Sequence, residues 1–190
     1  MFESGPLRLL PLALREPRRA WLAILVGWLV SFGGSALLSL AAHAVAPDVG
    51  KPEFALSGAL MFVLLTVFAP VTETLIMALV LTLLARFVTP TAAVLVSALL
   101  WGIAHSLQAP AWGLIIWWPF LIFSTLFLVW RQRGFWIAVG IVATTHALQN
   151  LMPAVLVAFP DQYPLQASGA CQFQDEGRAV PACLRISSRA

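Results

Sequence analysis

Glu73, His105, His146 and Asn150 are the residues whose types and spacing could do chemistry in this chain. Between Glu53 and Asp161 the only acidic residue is Glu73, and two of the three histidines, His105 and His146, fall in the same interval. Glu73 sits in "APVTETLIMALV" (residues 69–80), inside an apolar stretch running from Phe54 to Phe87. A carboxylate at membrane depth is unfavourable by about 2.5–3.5 kcal/mol on insertion scales, so it needs a partner or a task. A buried carboxylate beside an imidazole is a general-base pair that can activate water. A second histidine and a carboxamide can donate hydrogen bonds to the oxyanion of a tetrahedral intermediate. That inventory suits peptide-bond hydrolysis inside a membrane. On residue types alone, a His2Glu zinc site made of Glu73, His105 and His146 is open as well. Serine catalysis is less attractive, because Ser97, Ser106 and Ser124 show no G-x-S-x-G context.

These groups can act together only if separate elements carry them to one place. Glu73 and His105 flank the short turn "VTP" at residues 88–90, and the helical rise from the turn to either one is similar, about 20 Å. His146 lies about 18 Å along the fifth apolar run, measured from Gly134 at the same arginine-marked face. Antiparallel helices would therefore hold all three at one level. Trp101 and His105 are four apart, as are His146 and Asn150, so each pair shares a helix face. A lone membrane histidine is ordinarily a packed, hydrogen-bonded side chain. Glu, His, His and Asn at converging depth, with almost no other ionisable group available, fit that explanation poorly. His43, near the end of the first apolar run, reads as interfacial.

The elements implied are membrane helices. The 190 residues are 61% hydrophobic and 10% charged, more apolar surface than a soluble domain of this size could keep from water. The apolar runs are Ala20–Val45, Phe54–Phe87 interrupted by Pro70, Thr91–Gln108, Trp112–Trp130 and Gly134–Phe159. The first is too long for the apolar region of a cleaved signal peptide and reads as a retained span. Trp112 and Trp130 look like interface anchors at the two ends of the fourth. The expected fold is all-α, a polytopic transmembrane helix bundle of about five or six spans with a short polar C-terminal tail. Residues 1–19 form a basic N-terminal segment, 20–159 the bundle, and 160–190 the tail.

The count turns on Phe54–Phe87, which as one helix would be about 50 Å long against a hydrocarbon core of about 30 Å. It is either one tilted helix kinked at Pro70 or two segments broken there. One crossing gives five spans and puts the N-terminal arginines, Arg86, Arg131 and Arg133 on the cytoplasmic side, as the positive-inside rule prefers. Two crossings give six, which the apolar excess favours. The clustered arginines read as topology marks rather than a nucleic-acid surface. Five spans place the tail, with Cys171 and Cys183, outside, where a bridge would stabilise it by about 3 kcal/mol. Two reduced thiols are the plainer alternative, and the pair is a poor zinc site.

At these residues the chain resembles the CPBP family of intramembrane endopeptidases, which includes type II CAAX prenyl proteases and bacteriocin-processing enzymes. The family pattern is Glu-Glu-x3-Arg after an apolar-Pro lead-in, then Phe-x3-His, then His-x3-Asn or Asp. "APVTETLIMA" matches the first part incompletely, with Glu73 as the first glutamate. "WGIAH" (Trp101–His105) matches the second with Trp for Phe, and "HALQN" (His146–Asn150) matches the third in full. The resemblance covers about residues 55–155, a protease-like core of the bundle, and implies that Glu73 and His105 activate the hydrolytic water while His146 and Asn150 stabilise the oxyanion. It implies a glutamic-type site with no cofactor; zinc, if bound, would take Glu73, His105 and His146. It further implies membrane lipid and a membrane-associated peptide or protein substrate as partners, with no nucleic acid. The expected setting is multi-pass in the plasma (inner) membrane, N-terminus cytoplasmic and tail extracytoplasmic.

The chain departs from the family at Thr74, where the pattern has its second glutamate, and at Ala78, where it has arginine. Those positions are four apart, a spacing suited to an ion pair. Losing both partners restores neutrality, whereas losing one would strand a charge. The paired change reads as removal of a structural salt bridge. The alternative is a catalytically inactive family member acting as a membrane binding or immunity protein. A transporter or proton relay is disfavoured, because one carboxylate without repeats or paired broken helices is a thin pathway.

Overall fold

The computed structural model describes residue 2, residues 5–46, residue 52 and residues 54–160. Residues 161–190 of the proposed tail, with both cysteines, lie outside the described residues. Five main helices account for most of the described chain: α1 (Ala20–Val45), α2 (Gly58–Leu84), α3 (Pro90–Ser106), α4 (Pro110–Trp130) and α5 (Phe135–Ala158). All except α3, which has 17 residues, are long and apolar enough to cross a membrane. The fold is an all-α polytopic bundle. Among the described residues there is no strand.

The apolar run around Pro70 is one continuous helix. Proline cannot donate to the carbonyl ladder, and its ring crowds the preceding turn. Residues Leu64–Phe68 widen into a single π turn just before it, so α2 continues through the proline without reversing. Pro90 and Pro110 stand in the first turns of α3 and α4, where a missing N–H costs nothing. Thr89 caps α3, its side chain accepting from the Ala92 N–H. The "RQRG" turn ends on Gly134 at φ 143°, a conformation L side chains rarely adopt.

α4 is the central helix. It is apolar on every side, and all residues from Pro119 to Trp130 are buried. Trp130 is therefore core rather than the interface anchor its position suggested, because the "RQRG" turn folds α5 back over the end of α4. α1 shows the inverse of a water-soluble pattern. Its buried residues are Ala23, Gly27, Ser31 and Ser35, a stripe of small side chains every fourth position, while Leu25, Leu29, Leu37 and Leu40 face outward. Close backbone approach drives such packing in lipid, where outward leucines lose nothing. Ser31 donates to Gln149 Oε1 at 2.9 Å, and Gln149 Nε2 donates to Ser35 at 3.4 Å, which fixes α1 against α5.

The α1–α4 seam depends on Gly34. Trp118 Nε1 donates to the Val30 carbonyl at 2.9 Å, and a Cβ on Gly34 would overlap the indole ring. Gly34→Ala should lower stability by about 1–3 kcal/mol through overpacking. Gly33→Ala, with nothing within 4 Å of its Cβ, should be neutral or slightly stabilising. Thermal unfolding of the two variants in detergent checks this, and equal midpoints would remove the Trp118 seam as the cause.

The alternating helices put every described arginine at one end of the bundle. Arg86 lies between α2 and α3, and Arg131 and Arg133 between α4 and α5. Arg8, Arg15, Arg18 and Arg19 precede α1. The N-terminal segment is packed on that end: Phe2, Leu7 and Leu14 are buried, and Arg15 donates to the carbonyls of Leu10 and Phe2.

Candidate active site

Glu73 lies in α2, one turn beyond Pro70, with its side chain 25% exposed. Across from it on α5, His146 is buried, and its Nε2 lies 3.8 Å from Glu73 Oε2. That separation is just beyond a hydrogen bond and within ion-pair reach. His146 Nδ1 is buried and has no hydrogen-bond partner among the described residues.

His105 is in the last turn of α3. Its Nδ1 is 2.8 Å from the Trp101 carbonyl, which can only accept, so Nδ1 carries a proton and, in the neutral ring, Nε2 keeps a free lone pair. The two imidazoles flank a common ring. Phe120 of α4 has its centroid 5.7 Å from His105 and 5.5 Å from His146. Trp101 stacks on Phe120 at 4.3 Å, Trp112 meets His105 edge-on at 4.7 Å, and Phe123 lies 4.7 Å from His146. Trp112 thus walls the site in addition to any interfacial role, because the tight α3–α4 turn folds it over His105. That turn depends on a close approach of two glycines: a Cβ on Gly113 would overlap Ser106 Oγ and the Gly102 carbonyl.

The geometry pairs Glu73 with His146 more directly than with His105. Among the described residues Glu73 has no ion-pair contact to His105. α3 packs along α4, whereas α2 packs mainly along α5, so the two helices joined at the "VTP" turn diverge towards the depth of the site. Asn150 is one turn beyond His146, as its spacing requires, and its Nδ2 donates to the Leu65 carbonyl at 3.1 Å. His43 is exposed in the last turn of α1, away from this group.

Among the described residues no group of three His, Cys, Asp or Glu side chains is placed to hold a metal ion, and Glu73, His105 and His146 do not converge on one point.

Sequence reasoning passed over Phe120, Phe123 and Gln149. The two phenylalanines are hidden in a uniformly apolar run whose pattern marks no face. Gln149 had a signal, being an uncharged amide inside a membrane run next to Asn150. The serines that receive it repeat four apart on α1.

Glu73, His105, His146 and Asn150 are thus carried by three helices, α2, α3 and α5, of one α-helical bundle. Residues 55–152 match the family described as type II CAAX prenyl endopeptidase Rce1-like, and the chain belongs to that family. It is a membrane protein of a CAAX-type protease family. Neither a curated protein nor a solved structure matches the chain.

Proposed function

We propose that this protein is an intramembrane endopeptidase that hydrolyses a peptide bond of a membrane-associated, prenylated or precursor substrate. Glu73 takes a proton from water as the water oxygen attacks the scissile carbonyl. His105, with Nε2 unprotonated, assists on that water. His146 and the remaining N–H of Asn150 donate to the oxyanion, and Glu73 returns its proton to the departing amine. The observation that carries this reading is the 3.8 Å Glu73–His146 pair set in an aromatic cage with His105 in a chain of this family. A carboxylate and an imidazole so placed supply a base and an oxyanion donor without any further group. The arginine-bearing end is cytoplasmic on this reading, and the bundle belongs to the plasma (inner) membrane, with residues 1–19, 20–159 and 160–190 as successive units.

Comparative membrane proteomics tests it. Cells with His105→Ala should accumulate an uncleaved precursor relative to wild type, with equal amounts of folded protein. No accumulated precursor, together with unchanged biological effect of the variant, would favour the non-catalytic binding role. The buried Thr74 hydroxyl in place of a second glutamate, with no partner among the described residues, is the observation on that side.

A further inference from the structure

Leu65 has a carbonyl that its own helix cannot satisfy. In an uninterrupted α-helix it would accept from the N–H of Ala69. Here the Ala69 N–H bonds instead to Leu64, as the π turn requires. The next donor in line is position 70, a proline with no N–H. An unpaired carbonyl inside a membrane helix is costly, so something else must donate. Asn150 Nδ2 does so from α5, at 3.1 Å.

The π turn also sets where Glu73 points. It inserts one residue relative to an α turn, so side chains beyond it are rotated by about 100° from their position in an unbroken helix. Glu73 follows that insertion and faces His146. α5 therefore touches α2 twice from one face, through Asn150 at the Leu65 carbonyl and through His146 at Glu73.

We propose that Asn150 is a positioning residue: its carboxamide replaces the backbone donor missing at Leu65, locks the π turn, and so fixes the rotation at which Glu73 meets His146. This rests on the reading of Glu73 as the catalytic base. It gives Asn150 a task that acts through α2, in addition to whatever its second N–H does at the reacting carbonyl.

Substitution at position 70 tests the lock, because Pro70→Ala gives the Leu65 carbonyl a donor from its own helix. Wild type, Asn150→Leu, Pro70→Ala and the double variant would be purified as full chains in lipid nanodiscs. Thermal unfolding and cleavage of a quenched farnesylated CAAX-tailed peptide would be measured for each. Asn150→Leu should lower kcat by about tenfold or more with KM nearly unchanged, and Pro70→Ala in the same chain should restore the share of that loss that comes through the π turn, leaving the double variant measurably faster than Asn150→Leu alone. The unfolding midpoints should be non-additive, Asn150→Leu costing less in the Pro70→Ala background than in wild type. A double variant as slow as Asn150→Leu would overturn the positioning role and leave Asn150 a direct oxyanion donor. Additive midpoints would overturn the lock itself, and that measurement needs no activity. Wild type that leaves the peptide uncut would instead count against the protease reading for this substrate, and against any catalytic consequence of the lock.

Discussion

Glu73→Gln should abolish cleavage while leaving the protein at least as stable as wild type. Glutamine has nearly the shape of glutamate, so it can keep its place beside His146. It cannot take a proton from water. General-base catalysis contributes about 10²–10⁴-fold, so kcat should fall at least that far if Glu73 is the base. Stability should move the other way. An ionisable side chain in a membrane helix carries an insertion cost of about 2.5–3.5 kcal/mol, and the neutral amide removes the part of it that belongs to the charge. Activity lost with the unfolding midpoint held or raised is the signature of a residue kept for function at a cost in stability. A purely structural Glu73–His146 contact predicts the opposite pattern, a lower midpoint with any cleavage retained. Turnover and thermal unfolding on the same purified sample decide between them, and a Gln variant that still cuts at the wild-type rate would end the base assignment.

Much of this arrangement was legible because membrane helices punish polar residues. α1 runs over the span its apolar run marked, and α3, α4 and α5 begin and end within two residues of theirs. Glu73, His105 and His146 stood out because the bilayer leaves so few ionisable groups to weigh. The pairing was less legible. Rise along a helix gives depth, but depth does not say which helices lie side by side, and α3 leans on α4 rather than running with α2. The role of Phe120 was invisible, since every residue around it is apolar. The choice between five and six segments was also a physical matter. A proline in an apolar run is compatible with a break or with a π turn, and the outcome depends on whether a neighbour can satisfy the orphaned carbonyl. Asn150 is that neighbour, 85 residues further along the chain. No local pattern could report it.

Ala78→Arg alone should prevent accumulation of folded protein, although it restores the arginine of the family pattern. Thr74 and Ala78 are both fully buried, on the face of α2 that also carries Pro70, Met77 and Leu81. An arginine there meets no carboxylate, because Thr74 is neutral. An uncompensated buried charge costs about 3–5 kcal/mol, and overpacking a full site adds about 1–3 kcal/mol. Together they approach the whole stability of an ordinary domain, about 5–15 kcal/mol. Thr74→Glu with Ala78→Arg should be milder than the single arginine, since the i,i+4 pair neutralises the charge and leaves mainly the volume penalty. The ordering wild type, double variant, Ala78→Arg in unfolding midpoint is therefore the expected result. Catalysis separates the two accounts of the departure. If Thr74 and Ala78 replaced a structural ion pair, wild type cuts and the double variant is no faster. If they replaced part of the catalytic machinery, wild type is inert and the double variant gains activity despite its lower stability. The first outcome is expected here, because the face of α2 that carries Thr74 and Ala78 is packed into the core, while Glu73 beside them keeps the partial exposure a substrate needs to reach it.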